Sequence, residues 1–112
     1  MDDIVVERVL RIVELVPAGR VVSYGTVGIV ADCSPRYVGR VMREFGSNVT
    51  WWRVVNAAGL LPAELLGRAR EKWADEGTDH TRDKALTSAF LTPEALDALW
   101  SAHGTDPDER LD

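Results

Sequence analysis

The residues best placed to do chemistry in this chain are three arginines, Arg36, Arg40 and Arg43, spaced i, i+4 and i+7. On an α-helix that spacing puts all three guanidinium groups on one face. Such a row can neutralise successive phosphates, and an ordinary solvated helix face has the same pattern, so the stripe alone leaves both readings open. Covalent or metal chemistry has little to draw on. The single cysteine, Cys33, has no histidine near it in sequence and reads as a small packing residue. One cysteine cannot form an internal disulfide, and with the widely separated His80 and His103 it cannot supply a four-ligand zinc site. Metal ligands and cofactors are therefore expected to be none. No Ser/His/Asp set, paired carboxylates or phosphate-cradling glycine loop is visible.

The arginines stand out because the rest of the chain is acidic. Net charge is −5 over 112 residues, yet it divides into −2 for residues 1–35, +3 for 36–53 and −6 for 54–112. A basic island on an acidic molecule still attracts phosphate, because the nearest charges set the field within a Debye length of about 8 to 10 Å. The length fits one domain, expected over residues 1–103, followed by a polar, acidic, frayed tail at 104–112. No apolar run approaches the ~20 residues of a membrane span, and Met1-Asp2-Asp3 lacks the basic start of a secretory signal. The expectation is a cytoplasmic, monomeric protein with no membrane partner, associated with the nucleoid in a bacterial cell.

Several elements must position the stripe. Residues 4–16 read as an amphipathic helix with Val6, Val9, Leu10 and Val13 on its buried side, stopped by Pro17-Ala18-Gly19. Arg20-Val21-Val22 is extended, and Ser23 caps a helix over 24–31 whose Gly25 and Gly28 imply close approach by another group. After the turn at Asp32-Cys33, Ser34-Pro35 supplies a capping hydroxyl and a proline at the first helical position. The helix over 35–45 then has Val38, Val41, Met42 and Phe45 on its core side and the arginines opposite. Gly39 on the same helix admits a ligand backbone or packs against a neighbouring helix. Residues 49–55 read as a strand, Asn56-Ala57-Ala58-Gly59 as a turn, and Leu60-Leu61 as the return strand of a small wing. Helices over 63–76 and 93–102 complete the chain. The fold class is mostly α with a small β wing, a winged helix-turn-helix.

The order VPAGRVVSYGTVGIVADCSPRYVGRVMREF, then TWWRVVNAAG, resembles the DNA-binding domain of the O6-alkylguanine-DNA alkyltransferase family. That family's pattern runs through a proline-glycine turn, a Ser-Tyr-Gly segment, an Arg-x-Val-Gly helix and a Pro-Cys-His-Arg-Val active-site segment. The likeness covers about residues 4–60 and implies the winged helix-turn-helix of the alkyltransferase C-terminal domain. In Thr50-Trp51-Trp52-Arg53-Val54, Trp51 stands at the nucleophilic cysteine and Trp52 at its activating histidine, while Thr50 replaces the proline. An indole N–H donates and offers no accessible lone pair, so it cannot take an alkyl group as a thiolate does. The chain therefore looks like the non-enzymatic, alkyltransferase-like branch.

The resemblance also implies roles. Tyr24 matches the tyrosine that crowds the phosphate beside the target and drives the nucleotide out of the stack, and Arg36 matches the finger that fills the vacated space. Ser34, Pro35, Tyr37 and Gly39 fall on the face laid in the DNA minor groove, with Arg40 and Arg43 on phosphates. Tyr24, Trp51, Trp52, Arg53 and Val54 are the expected flipped-base pocket, with one of the two adjacent indoles touching the base. The implied partner is double-stranded DNA with alkylated guanine. Nucleotide excision repair damage-recognition proteins would act downstream, with helix 63–76 as a candidate contact. The alternatives are a winged-helix regulator of undamaged DNA whose pocket is closed by its own side chains, and a protein-interaction domain without DNA affinity.

Overall fold

The structure, a computed structural model, describes residues 1–108. Its first helix, α1 (Asp3–Val13), starts where the Asp2 carboxylate accepts the N–H groups of Ile4 at 2.9 Å and Val5 at 3.4 Å. It stops three residues before the expected end, because Leu15 and Val16 bond back to the carbonyls of Ile12 and Val13, tightening the chain into turns. Val6, Val9, Ile12 and Val13 are its buried residues, with Leu10 only half-buried.

Strand β1 (Val22–Ser23) leads into α2 (Tyr24–Ala31), capped by the Ser23 hydroxyl, which accepts the Thr26 N–H at 3.1 Å. Asp32 ends α2 in the left-handed region at φ 62°, and the Cys33 N–H returns to the Gly28 carbonyl at 2.9 Å. This fold-back explains Gly28: a Cβ there would lie 2.5 Å from the Cys33 carbonyl oxygen. Ser34 then caps α3 (Pro35–Phe45), accepting the Tyr37 N–H at 3.1 Å. Helices α2 and α3 with this turn are the helix-turn-helix. Val38 and Val41 bury its inner face, whereas Phe45, expected in the core, is 45% exposed at the end of the helix.

The stretch expected as a strand over 49–55 is a strand only at its end. Trp51–Arg53 forms one turn of 3-10 helix, and only β2 (Val54–Val55) pairs as a strand. Strand β2 runs parallel to β1, with Val22 opposite Val54 and Ser23 opposite Val55. The expected return strand at Leu60-Leu61 does not form. The Asn56 carboxamide oxygen accepts the N–H groups of Ala58 and Leu60, both at 2.9 Å, curling 56–60 into a loop. The wing is thus a loop attached to a two-stranded parallel sheet.

Helix α4 (Ala63–Glu76) ends at Gly77, φ 72°, and α5 (Pro93–His103) is capped by Thr92. The larger core gathers side chains from α1, α2, α3 and α5, including Val9, Ile12, Val27, Val38 and Leu96. A smaller one centres on Trp73 of α4 with Val21, Val55 and Ala85. The described part of the tail meets α1: Arg8 Nε contacts Asp106 at 3.1 Å and Arg11 donates to the Thr105 carbonyl at 2.7 Å. Residues 109–112 of the expected tail lie outside the described residues. Among the described residues, no helix is long and apolar enough to cross a membrane.

Candidate nucleic-acid interface

Helix α3 separates its charges from its core as the spacing requires. Arg36, Arg40 and Arg43 are all exposed, and Arg40 makes an i, i+4 contact with Glu44 at 3.6 Å. Ser34 and Pro35 are exposed at the helix start, where the Ser34 hydroxyl is engaged as the cap. Tyr37 lies on the flank: it packs on the larger core, and its hydroxyl accepts the Asp2 N–H at 3.2 Å, tying α3 to α1. Gly39 packs against no neighbouring helix. A Cβ built there meets no heavy atom within 4 Å.

That open position borders a cavity of about 540 Å³. Helix α2 contributes Tyr24 to its wall, and α3 contributes Gly39, Met42 and Arg43. Gly46 and Ser47 follow, then Trp51 and Val54, and the far side is closed by Leu61, Pro62, Glu64, Leu65 and Arg68. Burial pushes the Tyr24 hydroxyl above its ordinary pKa, and the nearby Arg43 guanidinium opposes that shift. The Arg68 guanidinium lies over the Trp51 ring, 5.4 Å from its centroid. The opening beside the arginine-bearing helix corrects the closed-pocket alternative.

The 3-10 turn decides which of the adjacent aromatics reaches the cavity. With three residues per turn, side chains at i and i+3 eclipse while neighbours diverge by about 120°. Trp51 and Val54 accordingly share the wall. Trp52 and Arg53, expected among the pocket residues, are absent from the lining. Trp52 stands edge-on to Trp51 at 5.6 Å and donates its indole N–H to Glu76 Oε1 at 3.1 Å. Arg53 donates Nε to the same oxygen at 3.0 Å, Nη2 to Glu76 Oε2, and Nη1 to the Val16 carbonyl at 2.8 Å. Burial works against the Glu76 charge, but the hydrogen bonds from Arg53 and Trp52, with the Arg53 charge, together hold its carboxyl below the usual range. Trp73 completes the mooring, donating its indole N–H to the Trp52 carbonyl at 2.8 Å.

Tyr24, Gly39, Arg43, Trp51 and Val54 are therefore brought together, while the cap Ser34 and Pro35, Arg36, Tyr37 and Arg40 of α3 lie outside the lining. The far wall escaped sequence reading. Leu61 reads there as a strand residue, and Glu64, Leu65 and Arg68 as part of a charged helix. The usable signal is the spacing on α4, where Glu64 and Arg68 lie i, i+4 with Leu65 beside them. Cys33 lies in the helix-turn-helix turn, half-buried against the larger core, and its thiol is pushed up by burial, with Arg8 opposing and Asp32 reinforcing the shift. It is therefore protonated at neutral pH and a poor nucleophile. Among the described residues, no group of three or more His, Cys, Asp or Glu could hold a metal ion.

Residues 5–78 match the family described as 6-O-methylguanine DNA methyltransferase, DNA binding domain. Among solved structures, the fold is similar to S. pombe Atl1 in complex with damaged DNA containing O6-carboxymethylguanine. That similarity has a TM-score of 0.69 and 22% sequence identity, covering 83% of this chain and 99% of that one. A search of curated proteins returns no match.

Proposed function

Since this chain belongs to the family of the 6-O-methylguanine DNA methyltransferase DNA-binding domain, we propose that it binds duplex DNA carrying O6-alkylguanine and holds the lesion without removing its alkyl group. The observation that carries this reading is the open cavity of about 540 Å³ beside α3, walled by Tyr24 and Trp51. A guanine modified at O6 is hidden inside the duplex, so recognition requires the nucleotide to leave the stack. Helix α3 would enter the minor groove with Gly39 allowing close approach, Arg36 filling the vacated space, and Arg40 and Arg43 meeting phosphates. Tyr24, at the cavity edge, would hold the backbone of the turned nucleotide. Trp51 would supply the aromatic face for the base, a contact worth about 1 to 3 kcal/mol.

Trp51 stands where the alkyltransferases keep their nucleophile, and Cys33 lies outside the cavity lining. Binding without transfer leaves a distorted, marked duplex, which suits handover to nucleotide excision repair. That partner, a monomeric state and a cytoplasmic, nucleoid-associated location belong to the same reading. Similarity in fold to S. pombe Atl1, whose DNA contains O6-carboxymethylguanine, supports it.

The test is a titration of matched duplexes with and without one O6-methylguanine, followed by intact-mass measurement of the protein. Tighter binding of the damaged duplex with unchanged protein mass is the expected result. Equal affinities would overturn the lesion reading, and a gain of one methyl would restore an enzyme.

A further inference from the structure

A single 3-10 turn is too short to hold itself in place, and Thr50 provides no side-chain cap for the turn that carries Trp51. Its position is set from outside: Trp73 and the Val16 carbonyl each supply one tether, and three more hydrogen bonds converge on one carboxylate. Glu76 Oε1 accepts from both Trp52 Nε1 and Arg53 Nε, while Oε2 accepts from Arg53 Nη2. Arg53 and Glu76 side chains are each 14% exposed, so the pair is shielded and geometrically fixed. Glu76 is also the last residue of α4, the end where the helix dipole disfavours negative charge. The Arg53 guanidinium compensates a placement that helix formation alone would select against.

We propose that Glu76 is the positioning residue for lesion recognition: it locks the Trp51–Arg53 turn against α4, so that Trp51 forms the cavity wall before DNA arrives. This rests on the lesion-binding reading above and adds a dependence on a residue outside the cavity lining. Glu76 touches neither DNA nor base. It acts by removing the ordering that a loose turn would undergo on binding, which would otherwise subtract from affinity for the turned nucleotide only. Contacts of α3 with an undamaged duplex do not involve the turn.

Glu76→Gln retains size but replaces one acceptor oxygen by an amide donor, which faces Arg53 Nη2 in one orientation and both Arg53 Nε and Trp52 Nε1 in the other. Affinities of the full-length wild type and variant are measured for the O6-methylguanine duplex and its undamaged counterpart. One- and two-dimensional NMR follows the four indole N–H resonances. The lesion-to-undamaged affinity ratio is expected to fall about tenfold, the equivalent of one charge-assisted hydrogen bond, with undamaged binding nearly constant and the Trp52 indole resonance displaced. Trp52→Phe keeps an aromatic ring while deleting the indole donor and part of the ring area, and it leaves the Arg53–Glu76 pair in place, so it decides the matter if the first variant does not fold. It should lower the ratio about threefold, again sparing undamaged binding. An unchanged ratio in the folded variant, or an equal loss on both duplexes, would overturn the positioning role. A wild type with no lesion preference would instead sink the functional reading beneath it.

Discussion

Gly39→Ala separates a binding role from a folding role because the two effects have opposite signs. In the free protein the added methyl group meets no heavy atom within 4 Å, so it introduces no clash. Gly39 also sits in the interior of α3 without a positive φ, where alanine is favoured over glycine by about 0.8 to 1 kcal/mol. The variant should be more stable, with Tm raised by about 3 to 6 °C for a domain of this size. On DNA, the same methyl group would occupy the space through which the groove wall approaches the helix. Overpacking a fitted contact costs about 1 to 3 kcal/mol, which converts to a loss of roughly five- to 150-fold in affinity. Thermal unfolding and fluorescence anisotropy with a labelled O6-methylguanine duplex measure the two quantities on one preparation. Wild-type affinity in a folded Gly39→Ala would refute the placement of this face against DNA. A lowered Tm would refute the open-space argument itself.

The other arginines of α3 should divide by role. Arg36→Ala should reduce lesion preference by about tenfold because the stack-filling group is lost. Arg40→Ala should weaken both duplexes alike and make the slope of log affinity against log salt shallower by about 0.9; matching salt slopes in the two variants would contradict this division. Glu76 titrates below its ordinary value in the folded protein. Its contribution to stability is therefore complete above the unfolded value of about 4.3 and fades as pH falls through the lower folded value. Urea midpoints between neutral pH and pH 3 should drop less in Glu76→Gln than in wild type; parallel curves would count against the linkage. Thr50 Oγ1 is buried without a hydrogen-bond partner, so Thr50→Val, which keeps the shape and removes the hydroxyl, should raise stability by about 1 kcal/mol in denaturant unfolding. A destabilised Thr50→Val would indicate that the hydroxyl is engaged.

Local signals specify the helix-turn-helix, whereas long-range pairing leaves little mark in the sequence. Ser34-Pro35 announces α3 because capping and proline at the first position act within one turn, and the arginine stripe follows from helix period alone. The pairing of Val54–Val55 with Val22–Ser23 joins residues far apart in sequence, and nothing near Leu60-Leu61 reveals that its supposed partner is already engaged. The Trp51-Trp52 ambiguity has the same origin. A period of two would put one indole inward, but the 3-10 turn has a period of three, and it forms because Glu76, Trp73 and Val16 hold it from other elements. Glu76 itself reads in sequence as one more charge on an acidic helix. Its function becomes visible only when α4 brings its last residue to the turn.

On the proposed reading, an indole in place of the nucleophile changes what the cavity is selected to do. An enzyme gains nothing from holding its substrate more tightly than the transition state requires, because interactions shared by both states leave the chemical step unaccelerated. A protein that only binds has no such limit, so each contact with the turned nucleotide can be made in the ground state and will lengthen the complex. An indole at the former sulfur position suits that requirement: it adds aromatic area where the cysteine offered reactivity. It also makes rigidity more valuable, since the stacking face must already be in place to offset the unstacking of the base. The part-buried Arg53–Glu76 pair fits this logic. Its removal is expected to spare the arginine face of α3 and to release the one wall on which, in the proposed function, discrimination between damaged and undamaged guanine would depend.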